Sequence, residues 1–285
     1  MSFGNVYPVT PYPALLVRDG SERILVVADL HIGWEMNLTE RGIHIPSQTP
    51  RLEKRLLEVI SKARPTRLVL VGDIKQAVPK ITMEEWKAVP EFLEAIQKVV
   101  EDILIVPGNH DGDLEPLTPS STKLAPSKGI VFGKKVRVAV FHGHAWPLLE
   151  AFSADVLVMS HIHPVIWFKD KLGLWMVKQV WVKTVCEGRR LAESYLKYLN
   201  IAPKKDSIET FNEKFEFTPS NPRLIVMPTF NDLIGGFSMD RLEKEVSGPV
   251  IGSIGAAGLS SAELYLLDGT FIGTVKQFSQ LKREG

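Results

Sequence analysis

The sequence predicts an α/β protein built on a mostly parallel sheet. Three observations carry this. Short, continuous apolar runs recur through the first half of the chain. Amphipathic helical patterns separate the early ones. Five of the runs end in a histidine, aspartate or asparagine. Unbroken apolar strands belong to sheets covered on both faces, and strands alternating with helices indicate βαβ units.

The first strong strand is Ile24–Ala28, which ends in Asp29-Leu30-His31. From Pro50 to Ala63 the pattern is helical, with Leu52, Leu56, Val59 and Ile60 on one face and charges opposite. Arg67–Val71 is the next strand and ends in Gly72-Asp73. A helix from about Met83 to Val99 follows, with Trp86, Phe92, Leu93 and Ile96 as core residues and Pro90 as a point of kinking or splitting. Ile103–Val106 runs into Gly108-Asn109-His110-Asp111. Residues 112–135 read as a loop with short strands. Val136–Val140 ends in Phe141-His142-Gly143-His144, and a short helix near Trp146–Phe152 leads to Asp155–Met159. That last run finishes in Ser160-His161-Ile162-His163. Strand residues two apart share a side, so a strand continuing through His163 aims both imidazoles one way.

Later elements carry less chemistry. Val165–Phe168 and Trp175–Val185 read as strands, and Arg189–Leu199 as a helix on Leu191, Tyr195 and Leu199. Residues 202–222 are polar with a proline near each end and read as an excursion, helical or loop. Arg223–Met227 is a strand. Residues 248–262, GPVIGSIGAAGLSSA, read as a small-residue loop; without a Lys-Ser/Thr pair it is not a phosphate-binding loop. Ala262–Leu267 and Thr270–Val275 flank Asp268-Gly269, a two-residue hairpin signal.

The bulk numbers narrow the class. The chain has 285 residues, 45% hydrophobic and 24% charged, with a net charge of +1 from 34 Lys+Arg and 33 Asp+Glu. This is an ordinary globular mix without a broadly basic nucleic-acid footprint. No apolar run approaches the ~18 residues of a membrane span, and the start lacks a secretory pattern. Cys186 is the only cysteine, so no internal disulfide exists. We expect a cytoplasmic protein of a single domain, residues 1–285, with an excursion at about 186–222 and no membrane partner.

Of the 7 histidines, only His44 lies outside the strand-end segments. The candidate metal ligands are Asp29, His31, Asp73, Asn109, His142, His161 and His163. They offer carboxylate, imidazole and amide donors and no thiolate. That set suits Mn, Fe, Zn, Co or Ni better than Ca or a structural zinc. Seven ligands exceed one tetrahedral ion and suit two ions sharing a carboxylate. Such a pair activates water and clamps both oxygens of an in-line phosphoryl displacement.

Asp29-x-His31, Gly72-Asp73, Gly108-Asn109-His110-Asp111, His142 and Ser160-His161-x-His163 resemble the five ordered motifs of the calcineurin-like metallophosphoesterase superfamily. "ADLHIGWE", "RGIHIP", "GDIK" and "RLIVMPTFNDLIGG" resemble a smaller branch, the archaeal phosphoesterases related to SbcD-type nucleases and the bacterial ligase-associated phosphoesterases of the PdeM type. The resemblance implies a four-layer αββα sandwich of two mixed sheets. It implies Asp29, His31 and His163 on one ion, Asn109, His142 and His161 on the other, and Asp73 shared. It implies two divalent transition-metal ions, with Mn the first choice. His110 would then serve the substrate as general acid, with Asp111 orienting its ring. The superfamily usually has Gly where Ser160 stands, and the bacterial relatives have His where Gln76 stands.

The expected function is metal-dependent hydrolysis of a phosphodiester, either nucleic acid (DNA or RNA) or a cyclic nucleotide. A phosphomonoesterase and a non-catalytic binding module on the same scaffold are the alternatives; the intact His110-Asp111 pair speaks against the second. Trp34, His44, Lys75 and His144 are the candidate substrate contacts. Lys183, Arg189, Arg190, Lys197, Lys204 and Lys205 either border a nucleic-acid path or form a solvated face. The interleaved acids favour the face. Oligomeric state is open.

Overall fold

The structure, a computed structural model, describes residues 4–203, 206–239 and 248–284. They form two compact units. The first runs to Ser127 and adds Thr229–Gly235; the second comprises Lys128–Pro228 and the chain from Gly236. Each unit has its own mixed sheet and helices, the α/β class with two mixed sheets that was expected.

In the first unit the order is β1 (Val6–Pro8), β2 (Ala14–Asp19), β3 (Glu22–Ala28), α1 (Met36–Thr39), α2 (Thr49–Ala63), β4 (Arg67–Val71), α3 (Met83–Gln97), β5 (Ile103–Val106) and β6 (Lys123–Leu124). The strands lie side by side in chain order. β1, β2 and β3 pair antiparallel, while β3, β4, β5 and β6 pair parallel. β1 and β2 were not read from the sequence. The apolar face of α2, with Leu52, Leu56 and Val59, joins Phe92, Leu93 and Ile96 of α3 in one core. Trp86, expected in that core, is 46% exposed. It sits in the first turn of α3, outside the buried stripe. α3 passes through Pro90 as one helix.

The segment 229–235 returns from late in the chain to β3. Phe230 N–H donates to the Ala28 carbonyl at 2.8 Å, and the Phe230 ring enters the core. Arg55 donates to the Phe230 carbonyl at 2.7 Å and lies over its ring.

The second unit contains β7 (Ile130–Phe132), β8 (Val138–Val140), β9 (Val156–Met159), β10 (Pro164–Lys169), β11 (Trp175–Val185), α4 (Gly188–Tyr198), α5 (Ser207–Phe215), β12 (Arg223–Val226), β13 (Phe237–Ser238), α6 (Pro249–Ser260), β14 (Glu263–Leu266), β15 (Phe271–Thr274) and α7 (Val275–Glu284). Its strand order is β13-β10-β11-β12-β9-β8-β7, with β14 also on β11 and β15 on β14. β11 is the hub. Its second half pairs with β12 and β14, while Trp175–Gln179 pair with β10 alone among the described strands.

One expected loop is helical. Residues 248–262 form α6, because Pro249 starts a helix well and Val250, Ile251, Ile254 and Leu259 are buried in the core. Gly255, at φ +72°, kinks it. Within 202–222, α5 forms with Asp206 as its cap and Phe211 buried. The short helix near Trp146 is a single tight turn, Leu149–Ser153. Cys186 is buried, and burial pushes its thiol up to about 12, so it offers no thiolate. The basic residues are matched by acids: Lys183 with Glu263 at 2.7 Å, Arg189 with Asp206, and Arg190 with Glu187 at 3.1 Å. Lys197 is exposed, and Lys204 and Lys205 lie outside the described residues. This agrees with a solvated face.

One buried carboxylate shapes the loop after β4. Glu85 accepts from the backbone N–H groups of Gln76 (2.9 Å), Ala77 (2.6 Å) and Thr82 (2.8 Å), and from the Thr82 hydroxyl (3.0 Å). Thr82 in turn caps α3 by accepting the Glu85 N–H at 3.2 Å. Glu85→Ala strands three backbone donors and removes the carboxylate half of the capping box, leaving Thr82 to cap the residue-85 N–H. We expect a loss of about 3 kcal/mol in urea denaturation, with Glu85→Gln losing less because one acceptor oxygen remains.

Candidate metal centre

In the first unit the site grows from the ends of three adjacent parallel strands, where α/β sheets gather their ligands. Asp29 and His31 follow β3, Asp73 follows β4, and Asn109 and His110 follow β5. The connections are tied by backbone hydrogen bonds. Asp29 N–H donates to the Val71 carbonyl at 3.1 Å, and His31 N–H to the Asp73 carbonyl at 2.8 Å. Asp29, His31 and Asp73 have left-handed backbones at φ +58°, +45° and +36°. All three are buried.

Both oxygens of Asp73 are engaged, and His110 meets both, its Nε2 standing 4.0 Å from Oδ2. Oδ1 accepts the His110 N–H at 2.9 Å, and Oδ2 lies 3.6 Å from His31 Nε2. One ligand atom from each of His31, Asp73 and His110 lies within 4.8 Å of the others. Asn109 is exposed on the same loop.

The expected pairing of Asp111 with His110 is corrected. Asp111 accepts backbone N–H groups, from Ile74 and Gly108 at 2.8 Å and from Lys75 at 3.3 Å. The ring of His110 places Nδ1 2.6 Å from the Gln76 carbonyl instead. A carbonyl only accepts, so Nδ1 carries a hydrogen and Nε2 is the exchanging nitrogen. Burial, with the Asp73 charge adding to it, pushes Asp111 up to about 6 against the pull of its three donors. Asp111 thus ties the loop after β4 to the loop after β5.

Lys75 is also corrected. It is buried, and its Nζ donates to the Ala77 carbonyl at 2.5 Å, bracing its own loop. Trp34 is half-buried and His44 is exposed on the coil before α2. Trp34 N–H donates to the His31 carbonyl at 3.1 Å, so its backbone belongs to the turn that carries His31. Two residues missed in the sequence support Asp29 from behind: Thr229 donates its hydroxyl to the Asp29 carbonyl at 2.9 Å, and Asn231 donates its side-chain amide to the Leu30 carbonyl at 3.1 Å. They lie some two hundred residues away and act on backbone, so no local spacing reveals them.

In the second unit His142 follows β8, and His161 and His163 follow β9. The strand argument for the last pair fails. β9 stops at Met159, and both histidines are left-handed, at φ +70° and +45°. They occupy a tight connection into β10, so the two-residue period of a strand does not apply. His142 is fully buried, and its Nε2 lies 3.1 Å from His161 Nδ1. Two donors at ~2.1 Å from one ion, roughly 90° apart, stand ~3.0 Å from each other. The imidazole pair therefore has the bite of a divalent metal site. The other nitrogen, His142 Nδ1, lies 3.3 Å from the Ser160 hydroxyl. The His144 ring sits 5.1 Å from that of His142 and 6.2 Å from that of His161, so His144 borders this imidazole group.

Buried imidazole and carboxylate groups at these separations fit divalent metal binding. The chain belongs to the calcineurin-like phosphoesterase family, whose model matches residues 22–170, a little over half its length. Phosphodiesterase YfcE of Escherichia coli strain K12 is 27% identical over 115 residues, 39% of this chain and 61% of that protein. The chain thus spans about three fifths of the length of the curated relatives it matches. Among solved structures, a Pseudomonas putida nuclease, MPE, aligns with 92% of this chain and 96% of its own at 16% identity and TM-score 0.49. The E. coli YfcE phosphoesterase aligns with 53% and 75% at 18% identity and TM-score 0.35. Among the described residues no helix is long and apolar enough to cross a membrane.

Gly108 is a close-approach position. A Cβ there would overlap Oδ1 and the backbone N of Asp73. Gly108→Ala is expected to cost about 2 kcal/mol by overpacking and to displace the Asp73 carboxylate. Chemical denaturation reads the first effect. The second appears as weaker metal uptake in a chelator competition.

Proposed function

We propose that this chain hydrolyses phosphodiesters with two divalent transition-metal ions, Mn first among them. The observation that carries the reading is Asp73, a buried carboxylate with one oxygen on the His110 N–H and the other within 4.0 Å of the Nε2 atoms of both His31 and His110. Asp29, His31 and His163 are assigned to one ion, Asn109, His142 and His161 to the other, and Asp73 to both. In this reading the two units work as one domain over residues 1–285. When bound, the ions supply an activated water and positive charge against the phosphoryl oxygens.

The chain's own residues do the rest. Gln76 fixes the His110 ring through Nδ1, leaving Nε2 to hold a proton for the leaving oxygen. Asp111 and Glu85 hold the loops that carry His110 and Gln76. Ser160 orients His142. The substrate in this reading is nucleic acid or a cyclic nucleotide. Nothing in the site favours a phosphomonoester over these.

Activity on bis-p-nitrophenyl phosphate should vanish with chelator and return best with Mn²⁺, and elemental analysis should give two ions per chain. His110→Ala should keep both ions and lose ~10²–10⁴ in turnover on poor leaving groups, less on p-nitrophenolate. His142→Ala should lose one ion and respond to added metal. Metal loss from His110→Ala without loss from His142→Ala would reverse the two assignments.

Ser160→Ala removes the hydroxyl beside His142 Nδ1. Loss of such a supporting contact typically costs ~10–100-fold in metal affinity. Titration with a chelator-buffered metal should show this for one ion and leave the other unchanged.

A further inference from the structure

The β10–β11 hairpin projects beyond the rest of its sheet. Its outer part, residues 166–169 with 175–178, is a two-stranded ribbon among the described residues. The register pairs Trp167 with Val177 and Lys169 with Trp175. Those four side chains therefore share one face of the ribbon. Trp167 is 40% exposed, Trp175 56% and Leu172, at the tip, 84%. Lys169 Nζ lies 5.3 Å from the centre of the Trp175 ring. Lys169, Lys171 and Lys178 are all exposed, and the only acid between Pro164 and Val180 is Asp170. Its Oδ1 is engaged by the backbone N–H groups of Leu172 and Leu174 at 2.8 and 2.9 Å. The turn is thus built, and one face of the ribbon presents Trp167 and Trp175 with Lys169 beside them, while Lys171 stands in the turn and Lys178, paired with Ile166, lies on the other face.

We propose that this hairpin is a platform for a single-stranded nucleic acid, which rests on the phosphodiesterase reading above and gives it a substrate class. Aromatic faces stack on bases of any sequence, and lysines beside them meet the phosphates. Two rings at diagonal positions, about 7–8 Å apart along the ribbon, receive successive bases. The surface is continuous with the metal-ligand segment: β10 begins at Pro164, directly after His163. Trp167 is four residues further, ~13 Å of strand, or about two nucleotides at the ~7 Å spacing of the rings.

The arrangement of charge decides between occupants. An insertion into a lipid surface needs an apolar tip with cations behind it. Leu172 and Leu174 at the tip are apolar, but Lys171 stands in the same turn and Lys169 beside the Trp175 ring, so the cations share the tip and the aromatic face and do not stand behind them. A second copy packed on this face would bring Lys169 and Lys171 of each copy together.

The test is binding of fluorescein-labelled oligothymidylate to metal-free protein in EDTA, read by anisotropy, beside metal-loaded turnover of bis-p-nitrophenyl phosphate. Trp167→Ala with Trp175→Ala should weaken oligonucleotide binding at least ~5-fold per stacked base. The same pair changed to Phe should recover most of it. Lys169→Gln and Lys171→Gln should each flatten the salt dependence by ~0.7 in slope. Turnover of the small diester should be unchanged in all of them. Unchanged oligonucleotide binding with intact turnover overturns the hairpin and leaves the phosphodiesterase standing. Lost binding in the variants, with wild-type protein inactive on the small diester, supports the hairpin and removes the phosphodiesterase. Retained oligonucleotide binding, with loss of binding to phosphatidylcholine–phosphatidylglycerol vesicles or of a dimer mass, assigns the hairpin elsewhere and overturns the proposal.

Discussion

The structure depends on a backbone constraint: short strands that must turn sharply at the point where they deliver chemistry. Asp29, His31, Asp73, His161 and His163 account for five of the nine non-glycine residues at positive φ among the described residues. A left-handed conformation at a residue with a Cβ costs energy, and it persists only where surroundings hold it. Here the surroundings are visible. Val71 and Asp73 carbonyls accept from Asp29 and His31, the His142 carbonyl accepts Ser160 N–H at 2.9 Å, and the 229–235 segment buttresses the Asp29 backbone. The strain is spread over strand ends that a deep core cannot release, since β3, β4 and β5 are buried almost throughout.

The same constraint explains why so many polar groups near the site are not part of the chemistry. Asp111, Glu85 and Lys75 are buried, and each binds backbone. A loop folded against a sheet leaves N–H and C=O groups without partners in regular structure, and burying them unpaired costs about 1–3 kcal/mol each. Two carboxylates and one ammonium meet that need on the two neighbouring loops after β4 and β5. The carboxylate expected to steer His110 is occupied in this way, and a backbone carbonyl takes over its role. The departure from the bacterial pattern at Gln76 therefore carries no penalty for His110: the contact is made by the peptide oxygen, which any residue at 76 provides.

Much of this was legible in the sequence because burial and period leave marks. The apolar runs at 24–28, 67–71, 103–106 and 155–159 became strands within a residue or two. The reading failed where a property had no period. The 248–262 stretch is rich in small residues and looks like a loop, yet helix α6 is selected by Val250, Ile251, Ile254 and Leu259 packing on the second core. His161 and His163 look like strand neighbours but stand in left-handed turns. Lys75 looked like a hand extended to substrate because sequence shows charge and not direction. Contacts made through backbone, such as His110 to Gln76 or Thr229 to Asp29, are invisible to residue identity.

Ser160 joins these themes. A glycine at this position supplies only a small volume behind the buried His142. Serine keeps the volume small and adds an oxygen 3.3 Å from His142 Nδ1 and 3.5 Å from the His142 carbonyl. An imidazole that gives one nitrogen to a metal keeps a hydrogen on the other, and that hydrogen needs an acceptor in a site closed to water. With Nε2 facing His161, Nδ1 is the nitrogen left to satisfy. The hydroxyl accepts there and can pass its own hydrogen to the His142 carbonyl. Serine at 160 therefore places a hydrogen-bonding oxygen beside His142 Nδ1 that a glycine cannot supply. What reads in sequence as a mild departure from a motif is, in physical terms, an added hydrogen bond at the most buried imidazole of the chain's second unit.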